Sequence, residues 1–200
     1  MPKGRLEAFS DGVIAILITI MVLELRMPAG TSWHALGRAL PGLLAYVLSF
    51  VYLGIYWNNH HHMLAASSRV SGGVLWANLH LLFWLSLVPF STAWMSEHRF
   101  PPIPTAVYGM VLLAAAIAYY VLQSTLLSAE DEHSKLRAAL GSDAKGKISP
   151  LLYCVGISLA FVDRWLGLAV YVLVALIWLV PDRRVERHLT AAAGEREAGG

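Results

Sequence analysis

The sequence predicts an all-α integral membrane protein with six membrane-spanning helices. Of its 200 residues, 57% are hydrophobic and 14% are charged, and the charged share is roughly half that of a soluble domain. The apolar runs are too long and too many for one soluble core. They lie at about residues 5–25, 40–57, 74–95, 105–127, 148–162 and 165–180. The predicted unit covers residues 1–189, and residues 190–200 are expected to be a disordered tail.

The fifth and sixth segments are separated only by Asp163 and Arg164. Each is short against the roughly 20 residues that a bilayer needs. One unbroken helix is the alternative, but it would bury both charges in mid-membrane. A hairpin of two short helices is favoured, because Ser149 and Pro150 suit the start of a helix. In the third segment, Pro89 is expected to bend the helix.

The basic residues indicate the orientation. With six spans, eleven of the 15 lysines and arginines lie on the side of the two termini, and only Arg26, Arg38, Arg99 and Arg164 lie on the other. This bias places both termini in the cytoplasm. The net charge of +2 is too small to indicate a nucleic-acid partner. The single Cys154 can form no disulfide within the chain.

The first helix has polar and charged residues near its N-terminal end, where burial in lipid would be unfavourable, and a row of apolar residues after them. Arg5, Ser10 and Asp11 precede an almost wholly apolar run, and charged groups at such a place are functional by default. The seam repeats at steps of three and four residues, through Val13, Ile16, Ile20 and Leu23. A polar collar above an apolar seam indicates an oligomeric pore. The alternative is an ordinary core seam inside a monomeric bundle.

The second helix ends in Trp57, two asparagines and three histidines. Three interpretations are open for this cluster. It is a solvated interfacial loop with an aromatic anchor, or Asn59, His60 or His61 receives the polar groups of the first helix. A metal site is disfavoured, since adjacent helical residues point in different directions and no Cys or carboxylate lies at ligand spacing. Asn78 in the third helix is expected to be a polar contact between helices.

Taken together, these residues resemble a known family, the prokaryotic branch of the lysosomal potassium channel family called transmembrane protein 175. The resemblance is closest in the first three helices. It rests on Arg5, Phe9, Ser10 and Asp11, then Trp57, Asn59, His60 and His61, then Trp76 and Asn78, and finally Pro89, Phe90 and Thr92. The third histidine, His62, departs from the pattern and leaves the partner histidine open.

The resemblance implies a homotetramer in a prokaryotic cell membrane, with six helices per subunit and the first helix lining the pore. Narrow apolar layers are then expected at Ile16, Ile20 and Leu23, with Thr19 as a hydroxyl beside the pore. The motif residues are expected to lock the first three helices together, namely Arg5, Ser10, Asp11, His60 or His61, and Asn78. Potassium would be the permeant ion, with no other cofactor and no structural metal.

Helical geometry agrees with the pore-lining residues that the resemblance implies. Relative to Ile16, Ile20 lies at about +40°, Leu23 at about −20° and Thr19 at about −60° around the helix axis. With the resemblance, a potassium-selective or weakly selective cation channel is the first function class. A secondary ion transporter or proton-leak protein of the same topology is the alternative, disfavoured by the lack of an inverted repeat. An enzyme is disfavoured because acid–base or metal partners for the histidines are missing.

Overall fold

The computed structural model describes residues 2–67, 70–130 and 144–179. These residues form seven α-helices and no strand. The helices are α1 (Lys3–Leu23), α2 (Trp33–Ala66), α3 (Gly72–Ser86), α4 (Val88–Glu97), α5 (Pro102–Ala129), α6 (Ala144–Ala160) and α7 (Arg164–Leu179). The predicted tail at residues 190–200 lies outside the described residues.

Within residues 2–67, 70–130 and 144–179, four stretches of helix are long and apolar enough to cross a membrane. They are α1, α2, α5, and α3 with α4 taken together as Gly72–Glu97. Helix α7 is apolar but has only 16 residues. The all-helical membrane fold that the sequence predicts is therefore what the chain adopts.

The predicted bounds of the second helix, about residues 40–57, are wrong. Helix α2 has 34 residues, a length of about 51 Å, against about 30 Å for the hydrocarbon core of a bilayer. It begins at Trp33 because the Ser32 hydroxyl accepts a hydrogen bond from the Ala35 N–H at 3.2 Å. Hydropathy detects only the apolar middle of such a helix, and its polar ends continue beyond it.

The third predicted segment, about residues 74–95, is divided between α3 and α4 at Leu87. Pro89 lies in the first turn of α4, where its missing N–H disturbs little, whereas inside one continuous helix it would remove a hydrogen bond. The predicted bend at Pro89 is thus a break between two helices.

Helix α5 lies at the centre of the subunit and packs against α3, α4, α6 and α7. Several hydroxyl groups in this apolar interior bond to one another or to a backbone carbonyl, which satisfies them where water is absent. Ser49 Oγ lies 2.7 Å from Thr92 Oγ1 and 3.0 Å from Tyr108 Oη, and Tyr52 Oη donates to the Tyr171 carbonyl at 2.6 Å. These bonds join α2 to α4, α5 and α7.

The subunit has two distinct ends, which we call the Lys3 end and the Arg99 end. At the Lys3 end, the Lys3 ammonium donates to the carbonyls of Ala65 (3.0 Å) and Ser67 (2.9 Å). At the Arg99 end, the Arg164 guanidinium donates to the Arg99 carbonyl at 3.2 Å. Helix α1 runs from the Lys3 end towards the Arg99 end, and α2 returns.

Candidate functional site

Helix α1 has one covered face and one uncovered face. Its covered face packs against α2, α3 and α4 through residues three and four positions apart, namely Leu6, Ser10, Ile14, Leu17 and Met21. The uncovered face carries the predicted pore stripe. Ile16, Ile20 and Leu23 are 57%, 39% and 80% exposed. Large apolar side chains therefore point away from the subunit that holds the helix.

Thr19 lies on the same uncovered face. Its hydroxyl donates to the Ile16 carbonyl of its own helix at 2.9 Å. The proton is therefore satisfied within the helix, while the oxygen lone pairs stay available to a polar group or an ion on that face.

A chain of three side-chain hydrogen bonds joins α1, α2 and α3. Ser10 Oγ donates to the Leu6 carbonyl at 2.9 Å and accepts from Asn78 Nδ2 at 3.0 Å. Asn78 Oδ1 lies 2.7 Å from His60 Nε2. An amide oxygen only accepts hydrogen bonds, so His60 must carry its proton on Nε2. Ser10, Asn78 and His60 are at most 1% exposed.

The direction of each bond in this chain follows from the one before it. Because the Ser10 proton goes to the Leu6 carbonyl, its oxygen needs a donor, and only the NH₂ group of Asn78 supplies one. The amide orientation then presents its oxygen to His60. The bonds run His60 to Asn78 to Ser10 to backbone without a conflict, and such chains reinforce one another in a low-dielectric interior.

Only one residue of the polar cluster on α2 joins this chain. His61 is exposed and stacks on Trp57 with ring centroids 6.1 Å apart. Asn59 Nδ2 turns back to the Ile55 carbonyl of its own helix at 2.8 Å. Among residues 2–67, 70–130 and 144–179, no group of three His, Cys, Asp or Glu side chains is placed to hold a metal ion.

Asp11 contacts α2 through a tryptophan and not through an arginine. Trp57 Nε1 donates to Asp11 Oδ1 at 2.9 Å. In the described part of the chain, Arg5 forms no ion pair, and it is exposed, as is Phe9. The described residues therefore contain no Arg5–Asp11 ion pair, and Asp11 is joined to α2 through Trp57. Arg5 and Asp11 lie about 120° apart around α1, too far for one neighbour to receive both.

Some polar contacts were not expected from the sequence. The Lys3 ammonium caps the C-terminus of α2, and the hydroxyls of Ser49, Thr92 and Tyr108 meet in the interior. The signal for the second set was present, because hydroxyl groups deep in apolar helices need partners. Nothing in the sequence identifies which partner each takes.

The fold and this network define a multi-pass, all-helical membrane protein whose first helix is covered on only one face by the rest of the described chain. Comparison with known proteins makes the class more specific. The family model described as endosomal/lysosomal potassium channel TMEM175 matches residues 5–89. A protein named potassium channel from Chryseobacterium sp. (strain P1-3) is 53% identical over 189 residues, which cover 94% of this chain and 98% of the relative.

Two further matches agree. A protein named potassium channel from Streptomyces collinus is 37% identical over 187 residues, covering 88% of this chain and 91% of the relative. The crystal structure of a lysosomal potassium-selective channel TMEM175 homologue from Chamaesiphon minutus superposes with a TM-score of 0.75 at 31% identity, covering 89% of this chain and 96% of that one. The chain therefore belongs to the TMEM175 family, and the resemblance is confirmed.

Proposed function

We propose that this protein is a potassium-selective or weakly selective cation channel, and that it acts as a homotetramer with four copies of α1 around the pore. The names of the relatives from Chryseobacterium and Streptomyces support the permeant ion. The observation that carries the proposal is the uncovered apolar face of α1, on which Ile16 and Leu23 are 57% and 80% exposed. No other cofactor is proposed.

In a parallel ring of four helices, the uncovered faces of α1 would meet at the axis. Ile16, Ile20 and Leu23 would then form three stacked apolar rings. The seven residue steps from the first ring to the last correspond to about 10 Å along the helix. Such a constriction closes the pore when water leaves it, and an ion that passes through it loses part of its hydration shell.

Selection in this proposal comes from the cost of dehydration. Potassium holds its water less tightly than sodium does, so a narrow apolar neck favours potassium modestly. Thr19, beside the rings, offers hydroxyl oxygen lone pairs to a partly dehydrated ion. Ile16 is proposed as the narrowest ring, because its β-branched side chain is stiff.

The buried polar chain fixes the rotation of α1 about its own axis. Ser10 lies about 120° from Ile16 around the helix, and it is bonded to Asn78 on α3. Asp11 is held by Trp57 on α2. With these two contacts made on one side of α1, the stripe can face only away from the subunit, which in the tetramer is the pore axis.

We further propose six spans per subunit, both termini in the cytoplasm, and residence in the cell membrane. The Lys3 end would be cytoplasmic, since eleven of the 15 lysines and arginines fall on that side when six spans are assumed, as the positive-inside rule requires. The hairpin of α6 and α7, which turns at residues 161–163, returns the chain to the same side.

Cross-linking tests the shared α1 interface. Cys154 is the only cysteine, so Cys154→Ser provides a cysteine-free background. We expect Leu23→Cys in this background to give disulfide-linked dimers under mild oxidation in membranes, since the side chains would meet at the axis. The control is Leu17→Cys, which is 7% exposed and should give none.

Native mass measurement of the same protein in detergent should show a tetramer. A stable monomer as the only species, together with equal cross-linking at Leu23 and Leu17, would contradict the proposal.

A further inference from the structure

A basic pocket lies at the Arg99 end, away from the α1 face. Of the four arginines that the sequence places on this side, Arg38, Arg99 and Arg164 line one pocket. The fourth, Arg26, forms an ion pair with Glu97. The pocket has a volume of about 450 Å³ and is completed by His34, Gly37, Pro41, Phe100 and Trp165.

Asp163 and Glu97, the carboxylates near the pocket in the sequence, make their contacts with other groups. Asp163 accepts from the N–H groups of Trp165 and Leu166 at 2.7 and 3.3 Å and so caps the start of α7. Glu97 is occupied by Arg26. Within the described residues, Arg38, Arg99 and Arg164 form no ion pair. In the described part of the chain, three guanidinium groups therefore share this pocket without a carboxylate paired to any of them.

Two residues of this pocket, Arg99 and Phe100, have a strained backbone conformation. Arg99 and Phe100 have φ angles of 58° and 62°, a left-handed conformation that ordinarily selects glycine at a helix C-terminus. The Phe100 N–H bonds to the Met95 carbonyl at 2.9 Å, which closes the end of α4. Strained residues of this kind concentrate at binding sites, and here the strained Arg99 supplies one wall of the pocket.

Aromatic side chains lie directly beside the charges. The Arg164 guanidinium sits over the Trp165 ring, 5.6 Å from its centroid, and Phe100 packs on the same ring at 5.7 Å. Trp33, at the start of α2, is 87% exposed, and Phe161 and Val162 are 61% and 78% exposed. Tryptophan beside exposed apolar residues at a helix end is typical of the membrane interface.

We propose that this pocket binds the phosphate of an anionic phospholipid headgroup in the leaflet at the Arg99 end. Guanidinium groups bind phosphate oxygens by paired, charge-assisted hydrogen bonds, and three of them line this one pocket. A lipid is favoured over free phosphate because exposed Trp33, Phe161 and Val162 offer contacts to acyl chains. The inference requires membrane insertion and is independent of ion conduction.

The decisive variant is Arg99→Gly. Glycine suits the left-handed conformation at this position, so the fold is expected to keep its thermal stability while one guanidinium is lost. Purified full-length protein in detergent is titrated with phosphatidylglycerol and, separately, with phosphatidylcholine, and bound lipid is counted by native mass spectrometry. We expect Arg99→Gly to weaken phosphatidylglycerol binding about tenfold, and Arg38→Gln with Arg99→Gly to weaken it further.

The control is Arg26→Gln combined with Glu97→Gln, which removes the ion pair outside the pocket without releasing a carboxylate beside it, and it should leave phosphatidylglycerol binding unchanged. An equal loss in this control, or no loss in the double variant, would overturn the proposal. The second part of the experiment replaces the lipid with inorganic phosphate. If it binds the wild type without lipid and displaces phosphatidylglycerol at equal concentration, the lipid assignment is overturned in favour of a soluble phosphate.

Discussion

Asn78 is the residue on which the packing of α1 against α2 and α3 depends most. It is fully buried, and its amide serves Ser10 at 3.0 Å and His60 at 2.7 Å. Asn78→Ala removes two interhelical hydrogen bonds, worth about 0.6 kcal/mol each in membrane proteins. It also leaves the Nε2–H of His60 buried without a partner, which costs about 1–3 kcal/mol.

We therefore expect Asn78→Ala to lower the free energy of unfolding by about 2–4 kcal/mol. The measurement is equilibrium unfolding in mixed micelles by SDS titration, followed by tryptophan fluorescence. Asn59→Ala is the matched control. The Asn59 side chain bonds only to the Ile55 carbonyl of its own helix, so its loss should cost less than about 1 kcal/mol.

A double-mutant cycle with Ser10→Ala isolates the bond between Ser10 and Asn78. The coupling energy should be about 0.6 kcal/mol and not above about 1.7 kcal/mol. If Asn78→Ala costs no more than Asn59→Ala and the coupling is zero, the polar chain does not stabilise the contact between α1 and α3, and our account of how α1 is oriented is refuted.

Two further predictions use the same unfolding assay. Gly109→Ala should destabilise by about 1–3 kcal/mol, because a Cβ there would lie 2.0 Å from Tyr171 Oη; Gly54→Ala, with nothing within 4 Å, should be neutral or stabilising. Asp11→Ala should cost only about 0.5–1.5 kcal/mol, the value of one hydrogen bond from Trp57, and Asp11→Asn, which keeps an acceptor, should cost less. A loss above about 3 kcal/mol for Asp11→Ala would instead indicate a broken buried ion pair.

The fold class can be predicted from the sequence because hydropathy and helical periodicity indicate directly which segments are buried in lipid. The sequence identifies α1 for this reason. At Pro89 it predicts a bend where the structure has a break between two helices, and the charges of Asp163 and Arg164 indicate the turn between the last two helices. It misses the ends of α2, since the first turn at Trp33 and the last at Ala66 lie beyond the continuous apolar run that hydropathy detects. Length limits derived from the bilayer do not apply to helix outside the hydrocarbon core.

Only part of the candidate site can be predicted from the sequence. The types of residue that meet, a serine, an asparagine and a histidine, follow from the cost of unpaired polar groups in lipid. Which histidine takes part does not, because it depends on which face of α2 is buried. That face is marked by Ser49, Tyr52, Tyr56 and His60. The basic pocket depends on contacts between residues more than 60 positions apart. The spacing of residues in the sequence does not predict such contacts.

We propose that the apolar stripe of α1 lines a potassium pathway, and reversal potentials test this role of the stripe most directly. Purified protein in liposomes is placed under opposed potassium and sodium gradients. For the wild type we predict a reversal potential displaced towards the potassium equilibrium potential. Ile16→Asn should raise the conductance and move the reversal potential towards zero, since dehydration would no longer discriminate between the ions.

Val22→Asn is the matched control, because Val22 is also exposed on α1, at 47%, but lies about 120° from Ile16. It should leave both quantities as in the wild type. A stable Ile16→Asn protein with unchanged conductance and unchanged reversal potential would contradict the claim that this face of α1 lines the pore.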